Sequence, residues 1–266
     1  GPVTIVKKDP APKDGRNMST LNIAPGEKGD RAFDSRMRGH DPEAVARLPI
    51  QMKPGDMLVS SVSTDKGKHP GMFKGMVEKN KSVILSYSIL TCLEAPVATD
   101  AFRPGYCDRQ MRTWHARDLQ WGRLQELDPV EKTPSIERWA GMFRQPWLDL
   151  YGFCKAGAAE YQPQYARETA RAEAFATLLL NLDFPKEQKR PLLINFVQYG
   201  IDLWSIVRHP TEFGRWRANG GHGNGRKWAI VFAGMMLGDG KMASPTETHP
   251  EFQFGQDMQT MYGDCW

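Results

Sequence analysis

The chain has 266 residues, of which 40% are hydrophobic and 25% charged, a composition typical of a soluble globular protein with one large or two modest domains. Its formal net charge of +4 comes from scattered Lys and Arg residues, which argues against a nucleic-acid-binding arm and weakly favours a polyanionic partner. No apolar stretch approaches the roughly 20 residues that span a bilayer, so no membrane partner is predicted.

Residues 1–50 are rich in Pro, Gly, Lys and Asp and have few apolar clusters. Such a segment cannot form a core of its own, so we predict an extended arm that lies over another part of the chain or is partly disordered. Asp41 followed by Pro42 predicts a short helix over 41–47, with Asp41 as its N-cap. No signal peptide precedes residues 1–4, which look like the trimmed start of a mature chain, so the location has to be inferred from other features.

Residues 51–130 form a predicted small β-rich module. The runs 57–63 and 82–92 have strand character and are separated by a Gly- and Lys-rich stretch. The turn over 101–107 then presents Arg103 and Tyr106. The neighbouring segment over 112–118 concentrates two arginines, a tryptophan and His115. It forms either a second cationic and aromatic wall for a ligand or an ordinary turn followed by a solvated segment.

Residues 131–266 are predicted to be helical. Periodic apolar residues indicate helices that start near 133–137, span 165–182, and continue over 193–207, where Pro191 marks a start or a bend. Residues 228–238 are apolar on nearly every side, which predicts a helix buried all round, and the small residues Ala233 and Gly234 permit close helix packing.

The predicted fold class is therefore α+β, mainly α, with antiparallel helix hairpins that form a partial α/α-toroid beside the small N-terminal β module. A closed toroid needs more helix than this sequence supplies, so the array is open or the helical domain is truncated. An apolar face left uncovered in this way would favour a homo-oligomer.

A glycine-rich loop over 216–228 is the strongest candidate site. It carries Asn219, His222, Asn224, Arg226 and Lys227, and its four glycines let a ligand approach the backbone closely. The spacing fits neither the dinucleotide-binding fingerprint nor a P-loop. The alternative is a flexible surface loop between two helices.

Cys92, Cys107, Cys154 and Cys265 are widely spaced and contain no C-x-x-C pair, so a zinc ribbon or a thioredoxin-like motif is not predicted. They form two disulfides or remain buried thiols, with the reduced state slightly favoured. No cofactor and no metal are predicted. A weaker alternative is a metal site made of His222, His209 or His115, and Asp257.

Residues 220–228 (GGHGNGRKW) and 230–239 (IVFAGMMLGD), with 102–107 (FRPGYC) upstream and 259–262 (QTMY) downstream, resemble secreted carbohydrate-associated proteins of environmental bacteria with α/α-toroid folds. More loosely, Asn219, His222 and Tyr262 are similar to the asparagine, histidine and tyrosine of toroid lyases that act on alginate and glucuronan. In those lyases the asparagine and histidine are adjacent, whereas Gly220 and Gly221 separate them here.

This resemblance implies a polysaccharide lyase that cleaves an acidic, uronate-containing glycan by β-elimination. Asn219 or Arg226 would stabilise the enediolate, and His222 would be the base because histidine has an ordinary pKa of about 6.5. Tyr262 would protonate the leaving oxygen. The predicted substrate-binding residues are Arg103, Tyr106, His115, Arg215, Trp216, Arg217, Lys227 and Trp228.

Two alternatives remain open at this point. A glycan-binding or structural module with an incomplete toroid would need no catalytic residues. A glycoside hydrolase would need two carboxylates about 5 to 10 Å apart. The acidic residues considered for that role are Glu160, Glu168, Glu173, Asp183, Asp202, Asp239 and Asp257.

Overall fold

The structure, a computed structural model, describes residues 1–26, 32–37, 40–65, 83–149, 159–163, 165–209, 215–218 and 221–257. Asn219, Tyr262, Cys154 and Cys265 lie outside the described residues, as does the side chain of Arg215. Within the described ranges, no helix is both long and apolar enough to cross a membrane.

The N-terminal half contains two small antiparallel sheets. Strand β1 (Val3–Ile5) pairs with β3 (Ile50–Met52), and a second sheet has the order β2 (Ser19–Leu21), β4 (Met57–Ser63), β5 (Ile84–Thr91). Both strands predicted in the β module are therefore confirmed as β4 and β5. The first fifty residues contribute one strand to each sheet, β1 and β2, so part of this arm is held by main-chain hydrogen bonds.

The predicted short helix after Asp41 is present as a 3-10 helix over Pro42–Ala44. The Asp41 carboxylate accepts a hydrogen bond from the backbone N–H of Glu43 at 3.3 Å, which is the predicted capping contact. The helix is shorter than predicted and ends at Val45, whose backbone is extended. Two further 3-10 helices cover Ala116–Asp118 and Trp121–Arg123.

The rest of the described chain is largely helical, and it confirms a mixed α and β protein with its strands mainly at the N-terminal side. The helices are α1 (Ile136–Phe143), α2 (Ala166–Leu180), α3 (Lys186–Val207), α4 (Lys227–Leu237), α5 (Gly240–Ala243) and α6 (Pro245–Thr248). A closed ring of helix hairpins is not seen among the described residues.

The start of α3 differs from the sequence prediction. Pro185 is the N-cap, and the helix runs from Lys186 through Pro191, so it does not start at Pro191, and a bend there stays a prediction. The helix begins after Pro185 because Phe184, the residue before this proline, is disfavoured in the helical region. The backbone N–H of Asp183 donates to the carbonyl of Leu127 at 2.8 Å, outside the helix.

Helix α3 packs against α1, α2 and α4 at the centre of the helical part. Its crossing with α4 is close, because a Cβ at Gly200 would overlap the carbonyl of Ala229 and lie 2.5 Å from the Cβ of Ala233. A Cβ at Gly234 would likewise overlap the backbone of α5 at Ala243. The predicted close packing at Ala233 and Gly234 is confirmed.

One hydrophobic cluster joins the arm, the sheet of β2, β4 and β5, and the helices. It includes Ile23 and Phe33 from the first fifty residues, Val59 of β4, and Phe196 and Leu203 of α3, all at most 2% exposed. Burial on this scale is the main stabilising contribution to the fold. The three predicted segments therefore share a core, and the boundaries between them stay a prediction.

Candidate functional site

The glycine-rich loop is fixed between α2 and the last strands. Strand β6 (Arg215–Trp216) pairs in parallel with β7 (Gln253–Phe254). Gly225 has a φ of +70°, and a Cβ there would overlap the backbone of Ala170 on α2. A Cβ at Gly223 would overlap the carbonyl oxygen of Trp216. At these two positions glycine allows the loop to lie directly on neighbouring backbone.

Arg226 anchors the loop to the protein interior. Its guanidinium pairs with both carboxylate oxygens of Asp149, at 2.5 and 3.1 Å, and both side chains are at most 1% exposed. It also donates to the carbonyl of His222 at 2.5 Å. Burial alone would lower the pKa of Arg226, but the charge of Asp149 outweighs it and the pKa is raised. Contact with a ligand in solvent would require this ion pair to break.

Two other predicted binding residues are also part of the core. Trp216 is fully buried, and its ring lies 5.0 Å from that of Phe252. Tyr106 is fully buried as well, and its hydroxyl oxygen accepts a hydrogen bond from the backbone N–H of Asp149 at 3.0 Å. Burial raises the pKa of Tyr106 well above its ordinary value. Neither ring presents a face on which a sugar can stack.

Arg103 and His115 make their polar contacts away from the loop. One terminal nitrogen of Arg103 donates to both carboxylate oxygens of Asp202 on α3, at 2.6 and 2.8 Å. Burial raises the pKa of Asp202, and the nearby Arg103 only partly opposes this effect. His115 lies 3.4 Å from the Asp100 carboxylate. The two arginines of the predicted wall over 112–118 are engaged in ion pairs, Arg112 with Asp239 at 2.8 Å and Arg117 with Asp100 at 3.5 Å.

An open cleft of about 670 Å³ lies where the loop meets α2 and α4. Trp228 is 40% exposed there, and its indole N–H donates to the hydroxyl of Thr177 at 2.7 Å, which fixes the plane of the ring. An exposed, oriented indole is a suitable platform for a flat or ring-shaped ligand. The lining residues are Ala170, Glu173, Ala174, Thr177, Leu178, Asn224, Gly225, Trp228 and Gln256.

The cleft also offers hydrogen-bond acceptors and hydrogen-bond donors. The side-chain oxygen of Asn224 is buried and has no hydrogen-bond partner among the residues that the structure describes. The Gln256 amide is oriented so that its oxygen faces two backbone N–H groups of the loop. This oxygen accepts hydrogen bonds from Gly225 at 2.9 Å and from Arg226 at 3.2 Å, and the amide nitrogen remains as a donor. Glu173 is 1% exposed and accepts from the Tyr199 hydroxyl at 3.3 Å.

His222 contacts Tyr165 beside this cleft. The two rings meet edge to face, with centroids 5.0 Å apart, and the guanidinium of Arg167 lies 5.8 Å from the Tyr165 centroid. A Cβ at Gly221 would lie 3.9 Å from both the Tyr165 hydroxyl and the amide nitrogen of Asn224. The loop thus brings the His222 imidazole and the Tyr165 phenol close to Asn224, which lines the cleft, while the Arg167 guanidinium beside that phenol pairs with Glu168 at 2.9 Å.

The remaining predicted residues lie near the loop but have protein partners. Lys227 forms an ion pair with Asp257. Arg217 donates to the side-chain oxygen of Gln253 at 3.2 Å. Of the predicted site residues that the structure describes, His222 stands at the edge of the cleft and Trp228 lines it.

Sequence reasoning missed Tyr165 and Gln256, and it named Asn224 and Glu173 without bringing them together in one cleft. A signal for the α2 residues was present, since 170, 173, 174, 177 and 178 follow the helical spacing of a single face. That face carries one glutamate among small and hydroxyl residues, which is unusual for a purely apolar contact. Nothing in the sequence shows that it faces the glycine-rich loop.

The chain matches no protein-family model, no curated protein and no solved structure. Its function is therefore argued from the site itself. In the part of the chain that the structure describes, no group of three or more His, Cys, Asp or Glu side chains is placed to hold a metal ion.

Proposed function

We propose that the protein is a polysaccharide lyase that binds an acidic, uronate-containing glycan across the Trp228 cleft and cleaves it by β-elimination. The observation that carries this proposal is the contact of His222 with Tyr165, beside the exposed cation of Arg167 and next to the cleft. We also propose a secreted or periplasmic location and an open piece of an α/α-toroid, in which α2, α3 and α4 are successive members.

In the proposed reaction His222 removes the proton from C5 of the uronate. The C5–H electron pair forms the double bond between C4 and C5, the C4–O bond breaks, and the Tyr165 hydroxyl protonates the leaving oxygen. Tyr165 takes the role assigned to Tyr262 by the sequence, because it is the tyrosine in contact with His222. Arg167 pairs with Glu168 at 2.9 Å, but its side chain is 74% exposed, so in the proposed reaction the guanidinium turns to the substrate carboxylate and stabilises the negative charge that develops there.

The cleft itself suits a neutral sugar ring next to the uronate. Glu173 is the one charged side chain among the described lining residues, so a carboxylated sugar there would meet like charge. The Trp228 ring offers a stacking face, while the Asn224 oxygen and the Gln256 amide nitrogen match the accepting and donating capacity of sugar hydroxyls. The proposed substrate therefore spans two kinds of subsite.

The proposal is tested by ultraviolet absorbance of unsaturated uronate on alginate, glucuronan, pectate and glycosaminoglycans. We expect product with at least one polymer, and its loss in His222→Ala and Tyr165→Phe. His249→Ala is a matched control, since His249 pairs with Glu251 outside the cleft and its loss should leave the rate unchanged. Absence of product on every polymer would refute lyase activity on these substrates.

A second candidate is a glycan-binding module without catalysis. It is favoured by the burial of Arg226, because the guanidinium predicted to stabilise the enediolate is held by Asp149. Saturable binding of an acidic glycan without unsaturated product would support it. The hydrolase alternative needs two carboxylates, and Glu173 is the only one among the described residues that line the cleft.

A further inference from the structure

A second, smaller pocket of about 310 Å³ lies between the two N-terminal sheets and shares no lining residue with the Trp228 cleft. Its walls are largely aliphatic and include Ile5, Leu48, Leu58 and Leu90. This volume is at the low end of the range of about 300 to 1,000 Å³ that is usual for small-molecule sites. The pocket therefore suits a compact apolar body rather than a polysaccharide.

The charged side chains that line this pocket, among the described residues, are all basic. Lys7 and Lys8 are its titratable groups among the described lining residues, and the walls from β2, β4 and β5 contribute only aliphatic side chains and serines. Lys7 is exposed, whereas Lys8 is half-buried. A cation in an apolar pocket without a carboxylate favours an anionic ligand.

One N–H group of the Lys8 ammonium has no hydrogen-bond partner among the described residues. Its ammonium donates to the backbone carbonyls of Asn17 and Ser61. An ammonium has three N–H groups, so these two carbonyls leave one N–H without a described partner. Burial lowers the pKa of Lys8 to about 8, which agrees with an ammonium whose solvation by the protein is incomplete.

A pair of hydroxyls supplies a second donor on the pocket wall. The side-chain oxygens of Ser19 and Ser60 lie 2.7 Å apart and share one hydrogen bond. Two hydroxyl groups carry two hydrogens, so one hydrogen of the pair remains to be donated. Both serines line the pocket together with Lys8.

We propose that this pocket binds a small monocarboxylic acid with an aliphatic or aromatic body. The carboxylate accepts the third N–H of Lys8 and the remaining hydroxyl hydrogen of the Ser19 and Ser60 pair, and the body of the acid packs on the aliphatic walls. The ligand is a monoanion because a single half-buried cation faces it. The proposal is independent of the glycan cleft.

The pH dependence of binding follows from the state of Lys8. The carboxylate binds the ammonium form, so binding raises the pKa of Lys8 and takes up protons near pH 8. Affinity stays constant between about pH 6 and pH 7, where the ligand is a carboxylate and Lys8 an ammonium, and it falls about tenfold per pH unit above about pH 8. A lysine with the ordinary pKa of about 10.4 would instead hold the affinity constant to about pH 10.

The test is titration calorimetry of the full chain with octanoate, below its micelle concentration, and with octanamide as an uncharged match. We expect saturable binding of one octanoate, at least tenfold weaker binding of octanamide, and the decline above pH 8. Lys8→Met should abolish octanoate binding and Lys7→Met should reduce it only slightly.

Lys8 also holds two backbone carbonyls, so Lys8→Met risks unfolding. In that case the octanamide comparison and the pH profile of the unaltered protein decide the matter. Three results would each overturn the proposal: no saturable binding of octanoate, equal affinity for octanamide, or an affinity that is constant up to pH 10.

Discussion

Replacing Asp149 by asparagine should destabilise the protein more than most other single polar substitutions. The change keeps the shape of the side chain but leaves the Arg226 charge buried, with both partners at most 1% exposed before the change. Loss of one partner from a buried ion pair costs about 3 to 5 kcal/mol. This is a large part of a total unfolding free energy that is typically about 5 to 15 kcal/mol. The assay is equilibrium urea unfolding followed by tryptophan fluorescence.

Two comparisons make that result specific. Asp65→Asn removes the ion pair between Asp65 and Arg16. The Asp65 side chain is 96% exposed, so this change should leave the unfolding midpoint unchanged. The double variant Asp149→Leu with Arg226→Met removes both charges and should be more stable than Asp149→Asn. A loss below about 1 kcal/mol for Asp149→Asn would show that Arg226 reaches solvent, and the anchoring role would be wrong.

Three further results are expected. Gly225→Ala should lower the unfolding free energy by about 1 to 3 kcal/mol, because residue 225 has a φ of +70° and a Cβ there would overlap α2. Gly240→Ala is the control, because a Cβ at residue 240 meets open space and should leave the unfolding free energy unchanged. Equal melting temperatures of the two variants would contradict this prediction. Trp228→Ala should weaken glycan binding at least tenfold in calorimetry with a small change in melting temperature, and unchanged affinity would remove the stacking role. Burial alone would raise the pKa of Asp34, but hydrogen bonds from Arg36 at 2.7 and 2.8 Å leave it lowered. Asp34 should therefore stabilise the fold at pH values above its ordinary pKa of about 3.9, and this contribution should be lost as the pH falls through the lowered pKa. In Asp34→Asn the unfolding free energy should depend less on pH on the acid side. An unchanged pH dependence would contradict the pairing of Asp34 with Arg36.

The elements with a local signal were predictable from the sequence. Strand β4 (Met57–Ser63) follows a turn and contains β-branched residues, and it has the predicted bounds. Helix α4 (Lys227–Leu237) lies within one residue of the predicted span 228–238, and it ends one residue early because Gly238 has a φ of +66°. These signals are contained in a few neighbouring residues, so no knowledge of distant parts of the chain is needed.

The roles within the site depended on distant partners and were not predictable. Arg226 looks like a ligand-binding cation in the sequence, but Asp149 lies 77 positions away and takes it into the interior. Trp216 looks like a stacking residue, yet β7 brings Phe252 and Phe254 against its ring. In both cases the residue type suits a ligand-binding role, but the partner that decides the role is distant in the sequence and cannot be identified from it.

The most direct test of the proposed function is the rate of unsaturated uronate formation by the parent protein and His222→Ala, with and without added imidazole. The account predicts a rise in ultraviolet absorbance for the parent, a rate at least about 100-fold lower for His222→Ala, and partial recovery with imidazole, because general-base catalysis typically contributes about 100- to 10,000-fold. An unchanged rate in His222→Ala, or no absorbance change with any uronate polymer, would contradict it.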